Sequence, residues 1–76
     1  MPRTFDPEEI DDLDESLVEV MDRDELEDFR QDLEDTLEEM RGLEPDQEED
    51  EEAWYEWEDR IRVLEDLIDA VCDRLG

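Results

Sequence analysis

The chain has 76 residues, 32 of them acids against 7 arginines, with no lysine and no histidine, for a net charge of −25. Repulsion on this scale opposes compaction, and low hydrophobicity with high net charge is also the composition of disordered chains. Leu, Ile, Val and Phe total 18 of the 76 residues, just above the roughly 20% below which disorder is expected, so the decision falls to patterning. A chain this short allows one domain with a modest core. Without a basic patch it is not expected to bind nucleic acid or anionic lipid directly. A partner selected by charge would be basic. Cys72 is the only cysteine, so no internal disulfide forms, which suits a reducing compartment. No signal peptide or membrane-spanning run is apparent, and a cytoplasmic location is the default expectation.

The first element begins at Phe5-Asp6-Pro7-Glu8-Glu9-Ile10. Asp6 suits an N-cap and Pro7 the N1 position. Glu9 is placed to reach back to the Asp6 amide, and Phe5 to staple against Ile10. Ile10, Leu13, Leu17 and Val20 then follow at heptad spacing, which predicts a helix over about 7–21. Asp22 with Glu25 offers a second capping box, and Met21 with Leu26 a second staple. The second helix therefore covers about 22–41, carrying Leu26, Phe29, Leu33, Leu37 and Met40. Because neither Gly nor Pro interrupts 8–41, one continuous helix from Pro7 to Arg41 is the alternative. Gly42 suits a left-handed C′ position, Leu43 the apolar C″, and Pro45 stops continuation. An acidic connection at 42–46 follows, and Asp46 with Glu49 offers a third capping box.

The third helix is expected over about 47–75. Trp54, Trp57, Ile61, Leu64, Ile68, Val71 and Leu75 alternate at spacings of three and four, the a/d seam of an amphipathic helix. With Ile61 at position a, Leu67 falls at g and Val63 and Ala70 at c. This widens the apolar arc enough to touch two neighbours. The opposite ridge reads Glu52, Asp59, Asp66, Asp73, all acids. Together the elements predict an all-α fold: a compact three-helix, up-down-up bundle with a long C-terminal helix, forming a single domain over 1–76. Trp54 and Trp57 read as core residues at a helix end that overhangs unless the Phe5 and Leu43 regions cover it. Tyr55, at position b, reads as exposed. Cys72, at e beside the seam, reads as buried filler.

No catalytic constellation is present. There is no histidine, and neither Cys72 nor Ser16 has a base beside it. With carboxylates everywhere, no pair stands out as catalytic. Asp46, Glu48 and Asp50 fit the first positions of a calcium-binding EF-hand loop, but Glu51 stands where glycine is required and Trp57 where glutamate is required. No metal site and no cofactor are expected.

Acids are concentrated in one place. Glu44 to Asp59 holds 10 acids in 16 residues and no arginine. Glu48, Glu49, Glu52, Glu56 and Asp59 follow helical spacing and are expected to share a flank beside Tyr55, an aromatic handle of the kind enriched at interfaces. Asp66 extends the row. A solvated helix start, favoured by its own dipole, accounts for the same pattern. A helix over 47–75 is roughly 42 Å long at 1.5 Å per residue. Spread over that length, a net charge of −25 is about one charge per 1.7 Å, the linear density of duplex DNA.

In size, acidity, helical content and lack of catalytic residues the chain resembles the small acidic DNA-mimic inhibitors of phages and mobile elements, the anti-CRISPR and anti-restriction proteins. These share no motif, so the resemblance carries no individual residue across. It implies a non-enzymatic inhibitor that occupies the basic nucleic-acid-binding surface of a CRISPR effector or restriction enzyme and blocks DNA binding, as a monomer or homodimer, in the host cytoplasm if the protein is phage-encoded. Two other readings stay open. One is an antitoxin-like or chaperone-like binder that seats an apolar helix face in a single basic partner. The other is a halophile's small helical protein, acidic for solubility in salt.

Overall fold

The computed structural model describes residues 4–76, apart from the side chain of Pro7. Every regular element in it is helical: α1 (Pro7–Asp12), α2 (Glu15–Glu19), α3 (Arg23–Gly42) and α4 (Glu51–Leu75). The predicted all-α class is observed, and the C-terminal helix is the longest element at 25 residues. The molecule measures 42 × 25 × 20 Å.

The expected first helix over 7–21 is two short helices, so the chain forms four helices where three were expected. Leu13 and Asp14 are extended, with ψ of 141° and 152°. The Asp14 carboxylate accepts from the Ser16 amide at 3.4 Å and restarts the helix. The local sequence Asp11-Asp12-Leu13-Asp14 explains the break. Aspartates compete with the helix for backbone hydrogen bonds and are favoured at caps rather than interiors. The bend lets Ile10 and Val18 both bury, while Val20, which continued the heptad, is 81% exposed. The single continuous helix from Pro7 to Arg41 is excluded by this break and by the second one at 21–22.

Of the three predicted capping boxes, the first closes in both directions and the second makes its N-cap bond. Glu9 Oε2 accepts from the Asp6 amide at 3.3 Å, and Asp22 Oδ1 accepts from the Glu25 amide at 2.9 Å. The third moves. Asp46 Oδ1 accepts from Glu48 N rather than from Glu49, which closes an isolated turn. Asp50 then caps α4 through the Ala53 amide at 3.2 Å. As a result α4 begins at Glu51 and not near 47. Gly42 also departs from expectation: it ends α3 inside the helix, and no glycine among the described residues has a positive φ.

α3 and α4 pack as an antiparallel hairpin, and α1 and α2 both lie against α4. The core is Ile10, Val18, Leu26, Phe29, Leu33, Leu64, Leu67 and Val71, each buried. Burying a side chain of this kind contributes roughly 1.5–3 kcal/mol. On α4 the buried line runs through Ile61, Leu64, Leu67 and Val71, while Ile68 is only half-buried. The arc is therefore rotated toward position g, the side on which Leu13, Val63 and Leu67 line a common groove. That rotation exposes position e, and Cys72 is exposed rather than a buried filler. Phe5 folds back over α3. Its ring meets Phe29 edge-on at 6.0 Å, and its amide donates to Thr36 Oγ1 at 2.9 Å. Thr36 is fully buried and its hydroxyl donates to the Asp32 carbonyl at 2.7 Å.

Candidate functional site

The hairpin end that carries the densest acids is built from the C-terminus of α3, the connection over 43–50, and the first three turns of α4. Trp57 fixes it. Its indole Nε1 donates to the Met40 carbonyl at 2.6 Å, in the last turn of α3, where that carbonyl also accepts from the Leu43 amide at 3.0 Å. Trp54 packs against Trp57 at 6.3 Å with a 40° tilt. Both indoles are half-buried, so the expected overhang is partly covered by α3. Tyr55 is 49% exposed, as its b position predicted. Its ring meets Trp54 edge-on, with centroids 5.4 Å apart.

The predicted interaction residues divide into two groups. Glu52, Glu56, Asp59 and Asp66 lie on α4 and are exposed. Glu52, Asp59 and Asp66 form one ridge, each carboxylate about 10 Å along the axis from the next at 1.5 Å per residue. Glu48 and Glu49 are exposed too, but they stand in the turn before the Asp50 cap and do not continue that helical flank. The acid row is thus a regular helical ridge preceded by a tighter acidic turn. Asp66 also borders an open groove of about 180 Å³ between α4 and the α1–α2 bend. A second cleft of about 120 Å³ lies at the hairpin end, between Phe5, Thr36, Met40 and Leu43.

Arginines pair with acids elsewhere on the surface and with Glu58 inside the dense stretch. Arg62 pairs with Glu58 at 3.0 Å, Arg60 with Asp11 at 3.4 Å, Arg41 with Glu65 at 3.6 Å and Arg23 with Glu27 at 3.9 Å. Among the described residues, Glu48, Glu49, Glu52, Glu56, Asp59 and Asp66 make no ion pair. Their field is left for solvent or a partner. Two other acids act on Tyr55, whose phenol is held above its usual pKa, first by hydrogen bonding to the Glu51 carboxylate, then by the charge of Glu51, by desolvation and by the charge of Glu58.

Among the described residues, no three His, Cys, Asp or Glu side chains are grouped to hold a metal ion. No helix among them is long and apolar enough to cross a membrane. Sequence reasoning missed the bond from Trp57 to Met40, because helical spacing places an indole on a face and does not say what its N–H meets. No protein-family model matches the chain, and no curated protein or solved structure is significantly similar to it.

Proposed function

We propose that this chain is a non-enzymatic inhibitor that mimics DNA, occupying the basic nucleic-acid-binding surface of a protein or complex and excluding the nucleic acid. A CRISPR effector or a restriction enzyme, met in the host cytoplasm, is the target class that the resemblance to acidic phage inhibitors implies. One observation carries the reading. A net charge of −25 along a longest dimension of 42 Å is about one charge per 1.7 Å, the linear density of duplex DNA. A tightly packed hairpin, with α1 and α2 acting together as one bent arm of an up-down-up bundle, holds those charges as a rod. The Glu52–Asp59–Asp66 ridge presents them at a fixed repeat, joined by Glu56 and by Glu48 and Glu49 in the turn.

The large exposed apolar side chains among the described residues are Val20, Leu43 and Tyr55, on three different segments. That scatter favours charge recognition over a partner that takes up a continuous apolar helix face. The test is retention of lysate proteins on the immobilised chain in about 0.15 M salt, the regime where screening reaches roughly 8 Å, followed by elution with duplex DNA. A nucleic-acid-binding complex released by DNA is the expected result. A small partner that DNA does not release would overturn the reading.

A further inference from the structure

Tyr55 is not needed by the core. It stands half exposed at the start of α4, stacked by its edge on Trp54, and no arginine of the described chain covers its ring. The stretch Glu44 to Asp59 around it contains ten acids and no cation. Glu51 and Glu58 stand four residues before and three after Tyr55 on α4, one helical turn away on either side, and Glu58 is already paired with Arg62 at 3.0 Å while Glu51 is in no ion pair among the described residues. An aromatic face beside carboxylates that already share its field is chemically matched to a guanidinium. The ring attracts the cation through its quadrupole, and a carboxylate accepts the planar N–H fork. A second copy of the chain does not fit, because two chains of net charge −25 repel each other on approach.

We propose that the Tyr55 face of the hairpin end docks an arginine side chain presented by a basic protein partner, with the guanidinium stacked on the ring and bonded to Glu51. This rests on the proposed function and names the partner's chemistry at that surface. It also divides the labour there. The ridge of Glu52, Asp59 and Asp66 supplies attraction that any cation satisfies, and Tyr55 supplies a preference for arginine over lysine.

The experiment compares two labelled peptides of equal length and charge, octa-arginine and octa-lysine, by fluorescence anisotropy against the full chain in about 0.15 M salt. The wild type should bind octa-arginine roughly two- to fivefold more tightly, the size of an exposed cation–π contact. Tyr55→Phe keeps the ring and should keep most of that preference. Tyr55→Leu keeps apolar bulk without a π face and should bring octa-arginine down to the affinity of octa-lysine, with lysine binding unchanged. Thermal melts of both variants like the wild type's establish that the fold is intact. Equal affinity of the wild type for the two peptides, or a preference that survives Tyr55→Leu, overturns the docking. The mimic reading fails separately, when DNA does not release the retained partner, so the two failures are distinguishable.

Discussion

Trp57 joins the two long helices through both its ring and its N–H. Trp57→Phe keeps most of the packing and loses the bond to the Met40 carbonyl. It should cost about 1 kcal/mol, the usual net value of one hydrogen bond. Trp57→Ala should cost about 2–3 kcal/mol, below the roughly 3–5 kcal/mol of a fully buried tryptophan, because the indole is only half-buried. Urea denaturation reads both, and a Trp57→Ala variant as stable as the wild type would mean that this end contributes nothing to the fold. Tyr55 offers a check on the local field. It is the chain's single tyrosine, so absorbance near 295 nm follows it alone. Its titration should lie above the usual value near 10, and Glu51→Gln should bring it down by removing the first cause of the shift. A folded pKa raised in this way stabilises the fold at pH values below the unfolded pKa, and that contribution is lost as pH climbs through the folded one. Cys72 marks the limit of reading a residue from its neighbours on the seam. The other e positions of α4 are Glu51, Glu58 and Glu65, and that row pointed to solvent. Weighing the whole row would have placed the thiol correctly. Cys72→Ser should change stability by less than about 0.5 kcal/mol, as expected of a surface site.

At the scale of elements, the long helices were readable because their signals repeat. A seam of seven apolar residues fixes α4, and caps at Asp6 and Asp22 place the starts of α1 and α3. The breaks were less readable, because a heptad survives a bend when the apolar residues on either side still meet a core. Ile10 and Val18 lie eight positions apart and both bury, and an unbroken helix and two jointed ones share that periodicity. The start of α4 was misplaced for a related reason, since Asp46 and Asp50 are both competent caps and only one can begin the helix. The same displacement removed Glu48 and Glu49 from the predicted flank while leaving Glu52, Glu56, Asp59 and Asp66 on it. Cap strength is measurable here. Asp22→Ala should cost about 1 kcal/mol, because it removes the acceptor for the Glu25 amide. Gly42 points the other way. It is helical, and a Cβ built on it meets nothing within 4 Å. Gly42→Ala should therefore stabilise by about 0.5–1 kcal/mol, mainly by restricting the unfolded chain. A destabilised Gly42→Ala would show that α3 ends in a conformation alanine does not tolerate.

For the molecule as a whole, net charge sets the response to salt. The ion pairs among the described residues are mostly exposed at the surface, where such pairs contribute little, so screening removes more repulsion than attraction. The melting temperature should rise as sodium chloride goes from about 0.02 to about 0.5 M, a range over which the Debye length falls from over 20 Å to below 5 Å. A chain folded at low salt is expected from the packed hairpin. One that is a coil at about 0.15 M and helical only in molar salt would favour the halophile reading instead. The hairpin has a further consequence, for the order in which structure forms. α3 and α4 are joined by a connection spanning only 43–50, whereas the arm of α1 and α2 reaches α4 across pairs as distant in sequence as Asp11 and Arg60. Contacts closed by short loops form early, and distant ones wait until the ends have been brought together. The transition state for folding should then contain the hairpin and lack the arm. In stopped-flow kinetics Leu33→Ala and Leu64→Ala should slow folding, while Ile10→Ala and Val18→Ala should leave that rate alone and hasten unfolding. The arm would be the last part to arrive and the first to leave, so amides of α1 and α2 should exchange with solvent deuterium ahead of those in the middle of α3 and α4.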